Sequence, residues 1–251
     1  SKVKDVLVEN IKIENMGNLG LEINKCFNTV VTKSRFSKIQ GSGTGYGIIA
    51  LSVYNLIVSE NTFTECRHGV DITGEVSRNI LITNNQAFDC DTSPYSVHGG
   101  SEQITISHNL AKDCGGGIIS RGKGNTIIGN RIVGFSHTNA PGNNNYTTGI
   151  IIGDSGLATP GVGLAGVGLI IKDNYIEDPQ FTGMTIYSPL INAQVSGNTL
   201  IGHRRQGILF LGNENHNLSV ENNIIDCNAQ DANATTGDAI FFSPSPLQEG
   251  N

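Results

Sequence analysis

Ile80-Leu81-Ile82-Thr83-Asn84-Asn85 joins an alternating apolar run to an asparagine, with Ala87 two places beyond Asn85 and Cys90 five places beyond it. The same pattern returns in Leu56-Ile57-Val58-Ser59-Glu60-Asn61, in Ile104-Thr105-Ile106-Ser107-His108-Asn109 and in Leu218-Ser219-Val220-Glu221-Asn222. Asn10, Asn130, Asn174 and Asn198 mark further copies, and Ser34 stands in the asparagine place of another. From anchor to anchor the spacings are 24, 27, 24, 24, 21, 44, 24 and 24 residues. Cys66, Cys90, Cys114 and Cys227 each follow an anchor by five residues, and Phe63, Ala87, Ala111, Ile132, Ile176, Leu200 and Ile224 follow by two. A glycine before an apolar run recurs out of phase, in Gly47-Ile48, Gly69-Val70, Gly117-Ile118, Gly149-Ile150, Gly183-Met184 and Gly207-Ile208.

Two or three short strands per period, with no amphipathic helical stretch, define a β-solenoid whose coils stack on one another. Leucine-rich repeats share the period, but their Leu-x-x-Leu-x-Leu frame is absent. At roughly 4.8 Å per coil, nine to ten coils make a rod on the order of 45 Å long, so the expected fold is all-β, a single domain spanning residues 1–251. Asparagine suits the corners because it tolerates left-handed backbone and its amide can bond the next coil. The cysteine column reads as stacked small hydrophobes. Five cysteines without a C-x-x-C support neither a disulfide framework nor a zinc site.

Composition narrows the function. A net charge of −6 argues against a nucleic-acid binder that neutralises phosphates. No run approaches the roughly 18 apolar residues of a membrane span. The chain opens on Ser1, and Val6 to Ile13 already reads as strand, so a domain of a longer protein is expected. Charged residues are only 15%, whereas glycine numbers 32 and asparagine 28 of 251, a composition that favours turns over helices.

Departures from the period collect after the asparagine corner, at Arg35 to Tyr46, Asp91 to Tyr95 and Ser136 to Thr148. Insertions at one corner build a wall beside one face, commonly the binding face of a solenoid. Gly161-Val162-Gly163-Leu164-Ala165-Gly166 has the dinucleotide-binding spacing, but Leu169-Ile170-Ile171 follows as strand where that motif needs a helix. No cofactor and no metal site are expected. The sequons at Asn145, Asn217 and Asn233 are what asparagine-rich corners produce by chance.

In Gly69-Val70-Asp71-Ile72-Thr73 the alternation turns Asp71 outward, onto an exposed sheet. Arg67-His68 precede it at the corner, His98 comes one coil later and Arg121 one coil after that, so stacking should bring them within about 5 to 10 Å. A carboxylate and two imidazoles can move protons near neutral pH, which makes Asp71, His98 and His68 the catalytic candidates. The guanidiniums of Arg67 and Arg121 can grip a carboxylate or phosphate, with Tyr95 as a further substrate contact. Structural roles are open to the same residues: corner caps for Arg67 and His68, a salt bridge from Arg121 to Asp71, a packed strand position for His98. Asp91, Asp113 and Asp154 are weaker acid candidates.

The coils, together with Cys66-Arg67-His68-Gly69-Val70-Asp71, His98-Gly99-Gly100 and Arg121-Gly122, resemble the right-handed parallel β-helix of the pectate-lyase-like superfamily, bacteriophage tailspikes and appendages in particular. That resemblance implies binding, and often cleavage, of a bacterial surface polymer: capsular or lipopolysaccharide glycan, or teichoic acid. It also implies a virion tail, or otherwise extracellular, setting. A noncatalytic adhesin or shaft and a secreted polysaccharide lyase are the competing readings, and the fold alone does not choose among them. The calcium-binding Asp cluster of pectate lyases is missing. Outward positions of the glycine-led strands are often apolar (Ile49, Leu51, Ile119, Ile151, Leu209, Leu211), so a second copy is expected to cover them, and the tailspike resemblance implies a homotrimer.

Overall fold

Val, Ile and Thr at alternate positions suit a pleated strand, whose successive side chains point to opposite sides. In the computed structural model, which describes residues 3–41, 43–74, 76–135, 148–153, 164–179, 181–212, 215–226 and 238–242, each repeat supplies three such strands. The third repeat shows the plan: Tyr54–Ser59, Thr62–Cys66 and His68–Thr73 belong in turn to the first, second and third of three sheets. Each sheet holds nine strands, and every strand pairs in parallel with its counterpart one coil away. The result is a parallel β-solenoid.

Alternation fills its interior. Leu56 and Val58 point in from the first sheet, Phe63 and Cys66 from the second, Val70 and Ile72 from the third, all fully buried. Because the pairing is in register, like stacks on like: Leu56, Ile80 and Ile104 form one column, and Phe36 stacks on Phe63 with ring centroids 5.3 Å apart. Cys66, Cys90 and Cys114 are buried free thiols in the expected column, which continues into Ile39 on one side and Phe135 on the other. Burial lifts the Cys66 thiol to about 11, so it packs as an apolar residue. Cys26 lies half-buried on the first sheet, and Cys227 is outside the described residues.

The asparagine corner joins first and second sheets through a continuous ladder. Ser34, Asn61, Asn85, Asn109, Asn130, Asn174 and Asn198 each donate a backbone N–H to the side-chain oxygen of the next member, at 2.9–3.0 Å, ending on Asn223. The Nδ2 of each internal asparagine also donates to a strand carbonyl of the preceding coil, as Asn85 does to Val58 at 2.8 Å. Two expectations need correction here. The terminal rungs are Ile11 and Asn223, one residue past Asn10 and Asn222. The left-handed backbone belongs to the preceding residue, as at Lys33, Glu60, Asn84, His108 and Asn222. One position absorbs the turn while the next supplies the amide, so two adjacent asparagines are easily misaligned by one.

Arg35–Ile39 is a strand of the second sheet rather than the start of an insertion. Most of the Ser136 to Thr148 insertion, including Asn143 to Asn145, and all of the Asp154 to Gly163 segment lie outside the described residues. A strand, Ile170–Lys172, does follow the glycine-rich run. The corner between second and third sheets explains the second glycine motif. A Cβ on Gly149 would lie 2.6 Å from the Gly183 carbonyl oxygen and 2.6 Å from Cγ2 of Ile176, so the coil can close only without a side chain there.

The outward apolar positions of the third sheet do not form the expected open patch. Ile119 and Ile151 are each 4% exposed within one chain, and Ile49, Leu51, Leu209 and Leu211 are half-buried. Little of this apolar surface stays open within one chain, so the expectation of a second copy cannot rest on an open patch.

Candidate functional site

The third sheet carries the outward columns on which the candidates sit. Parallel register sets Ile49, Asp71, Ser96 and Ile119 side by side on four successive coils. Two residues further along the strands, the backbone N–H of His98 donates to the Ile72 carbonyl at 2.8 Å and that of Arg121 to the Val97 carbonyl at 2.9 Å, which aligns Thr73, His98 and Arg121. His98 therefore stands diagonally across from Asp71. Its Nε2 is 3.2 Å from Asp71 Oδ1.

The two partners differ sharply in exposure: the His98 side chain is 44% exposed, that of Asp71 2%. Asp71 was expected on an exposed sheet, but the structure covers it. Burial raises a carboxyl's pKa, yet the His98 imidazole 3.2 Å away, helped by His68 and Ser96, outweighs burial and holds Asp71 below its ordinary value. The arrangement is a covered carboxylate aiming an imidazole at solvent. Arg121, half-buried, follows one coil on.

The other candidates are placed elsewhere. Arg67 and His68 lie at the opposite end of the strand, three to four residues from Asp71, or about 10 Å and more. Arg67 donates to the Tyr46 hydroxyl at 3.1 Å and lies over the Tyr46 ring. His68 stacks on the same ring with centroids 5.5 Å apart, keeps Nδ1 2.7 Å from the Ser93 carbonyl oxygen and is 6% exposed. Burial drives its pKa down to about 4, against the pull of Asp71 and Ser93. A covered, neutral imidazole anchored to backbone is a corner fastening rather than an exposed base, so the expectation of a catalytic His68 is corrected.

Tyr95 also departs from expectation. It pairs with Val70 and Ile118 in an inward column, is 1% exposed, and its hydroxyl donates to the Leu110 carbonyl at 3.0 Å. It is core and cannot touch a substrate on the outer face. Asp91 lies at the corner near Arg67; burial raises its pKa and Arg67 opposes. Ser96 was missed from the candidates. Its signal was positional: it occupies the place in its coil that Asp71 occupies in the one before. Among the described residues no group of three or more His, Cys, Asp or Glu could hold a metal ion, and no helix is long and apolar enough to cross a membrane.

Comparison with known proteins bears on the fold. Residues 2–132 match the family model described as "Right handed beta helix region". No curated protein matches the sequence. Among solved structures, the periplasmic alginate epimerase AlgG is similar over 89% of this chain and 55% of its own, at 15% identity and a TM-score of 0.66. The endo-xylogalacturonan hydrolase of Aspergillus tubingensis is similar over 99% and 78%, at 11% identity and 0.63. The tailspike gp61 of Pseudomonas phage phi297 is similar over 85% and 35%, at 16% identity and 0.55. The chain thus spans about half of AlgG and a third of the tailspike. Likeness at such identities speaks for the architecture.

Proposed function

The chain belongs to the right-handed beta helix family, and from that premise we propose that it binds and depolymerises an acidic bacterial surface polymer, a capsular or lipopolysaccharide glycan or a teichoic acid, as part of a phage tail. The Asp71–His98 pair, 3.2 Å apart on the outer face with Arg121 on the next coil, carries this reading. With Nε2 committed to Asp71, His98 offers Nδ1 to a bound polymer, and the carboxylate behind it stabilises the imidazolium that forms when a proton is taken. Arg121 supplies the cation for the polymer's acid group. Where the polymer carries a uronate, neutralising its carboxylate acidifies the C5–H, so His98 can take that proton as the C4–C5 double bond forms and the C4–O bond breaks, water protonating the oxygen that leaves. Asp71 is too well covered to attack or protonate a glycosidic bond directly, which favours elimination over two-carboxylate hydrolysis. Support for a polysaccharide ligand also comes from AlgG and the xylogalacturonan hydrolase, whose names give alginate and xylogalacturonan as their polymers.

The test is incubation with purified capsules and teichoic acids. Released oligomers are expected, bearing ultraviolet-absorbing unsaturated ends where the polymer carries uronate, with a His98→Ala variant slower by about 10²- to 10⁴-fold while it still binds polymer. Unchanged turnover in that variant would overturn the mechanism, and binding with no product from any polymer would make the chain an adhesin. The homotrimer now rests on the phage reading alone, and light scattering measures it.

A further inference from the structure

The corner column of left-handed residues carries a side chain at Asn84, His108, Asp173 and Asn222, but glycine at Gly129 and Gly197. Beside Gly129 the second sheet has a groove of about 480 Å³, on a different face from the Asp71–His98 pair. Leu110 and Val133 give it an apolar side, and His108, Lys112 and Arg131 line it with nitrogen. Register accounts for the grouping. Leu110 pairs with Arg131 and Lys112 with Val133, so the two cations stand diagonally across adjacent coils, about 7 to 8 Å apart at Cα, with an apolar residue beside each. The guanidinium of Arg131 lies over the Tyr175 ring, 5.3 Å from its centroid, which limits its freedom before any ligand arrives. The lining residues include no carboxylate. Asp113 reaches Lys112 only at 4.0 Å, and Glu177 accepts the Tyr175 hydroxyl at 3.1 Å.

We infer that this groove is a second, noncatalytic binding site for an acidic sugar unit, the acid group held between Lys112 and Arg131 and the apolar face of the sugar ring laid on Leu110 and Val133. In a chain of net charge −6, a cationic groove with an apolar side selects a ligand that is anionic and amphipathic at once. Either a carboxylate or a phosphodiester can supply the acid, since both present anionic oxygens to the same donors. The inference does not depend on catalysis at His98.

The experiment is an NMR titration of the whole chain, following the Gly129 and Lys112 amides, with trigalacturonate, glycerol phosphate oligomer and the neutral trisaccharide maltotriose as probes. Saturable shifts with one or both anionic probes, weakening as salt is added, are expected, and the probe that responds names the source of the acid. Two variants report separately. Lys112→Gln with Arg131→Gln removes the charge and should weaken binding at least tenfold. Gly129→Asn restores the residue that Asn84 and Asn222 already carry at this corner, so the fold accommodates it. It fills the groove without changing charge, since its Cβ arrives 3.0 Å from Cδ2 of His108, and should also weaken binding about tenfold. Absence of saturable shifts with both anionic probes, equal shifts with maltotriose, or binding that survives either variant would overturn the site. A His98→Ala chain that loses cleavage but keeps these shifts would separate this site from the catalytic one.

Discussion

His68 enters the folded chain with its face against Tyr46 and Nδ1 2.7 Å from the Ser93 carbonyl oxygen, and giving that ring a second proton places a charge where water cannot reach it. Its pKa falls from 6.5 to about 4, mainly because of burial. The unfolded chain therefore binds the proton first as pH drops. Stability from this group is fully present above about pH 6.5, declines as pH falls through the window between 6.5 and 4, and changes no further below it. At about 1.4 kcal/mol per tenfold change in proton affinity, the loss across that window is roughly 3 kcal/mol, a large part of the ~5–15 kcal/mol that holds a domain folded. His203, also lowered by burial with Asp226 opposing, acts in the same direction, so the test compares variants rather than reading one slope. A His68→Gln chain keeps a donor for Ser93 but cannot titrate. Urea unfolding at a series of pH values should show the wild type losing roughly 3 kcal/mol more than this variant between neutral pH and pH 4. Parallel pH profiles, or an imidazole seen by NMR to titrate above pH 6, would refute the reasoning.

Removing one amide from the ladder should be felt locally: Asn109→Ala takes the acceptor from the buried Asn85 N–H, and an orphaned donor costs about 1–3 kcal/mol, so hydrogen exchange at Asn85 should quicken by roughly tenfold to a hundredfold; an unchanged rate would mean that the ladder does not carry load. Gly149→Ala drives a methyl against the Gly183 carbonyl oxygen and should lower the unfolding midpoint by an amount worth at least 1–3 kcal/mol, whereas Gly124→Ala, where nothing lies within 4 Å and only the φ of +65° resists, should cost no more than the about 1–2 kcal/mol of left-handed backbone. Tyr95→Phe should cost about 1 kcal/mol through the lost bond to the Leu110 carbonyl and leave polymer affinity unchanged, since the ring is in the core; a change in affinity would return Tyr95 to the surface.

The solenoid was legible in the chain because its determinants are local and periodic. Most coils carry an apolar alternation for their strands, an amide such as Asn85 or Asn109 at one corner and a bare glycine such as Gly149 at the other, and each of these leaves a repeating mark in the sequence. The pairing of Asp71 with His98 was legible for the same reason: both stand at outward positions of the third sheet one coil apart. Period alone does not say how far along a strand a residue sits from the groove, so Arg67 and His68 looked like neighbours of Arg121 although the strand holds them apart. It cannot tell inward from outward when a corner shifts the alternation by one, and so Tyr95 was read as surface and Asn222, rather than Asn223, as the rung. Nor does it report what the rest of the chain lays over a sheet. Asp71 and Ile119 are covered by contacts made only after the coils have stacked, and the groove beside Gly129 takes its lining from two coils, His108 to Lys112 on one and Arg131 with Val133 on the next. Burial and charge environment are properties of neighbours distant in sequence, which the sequence of any one coil does not contain.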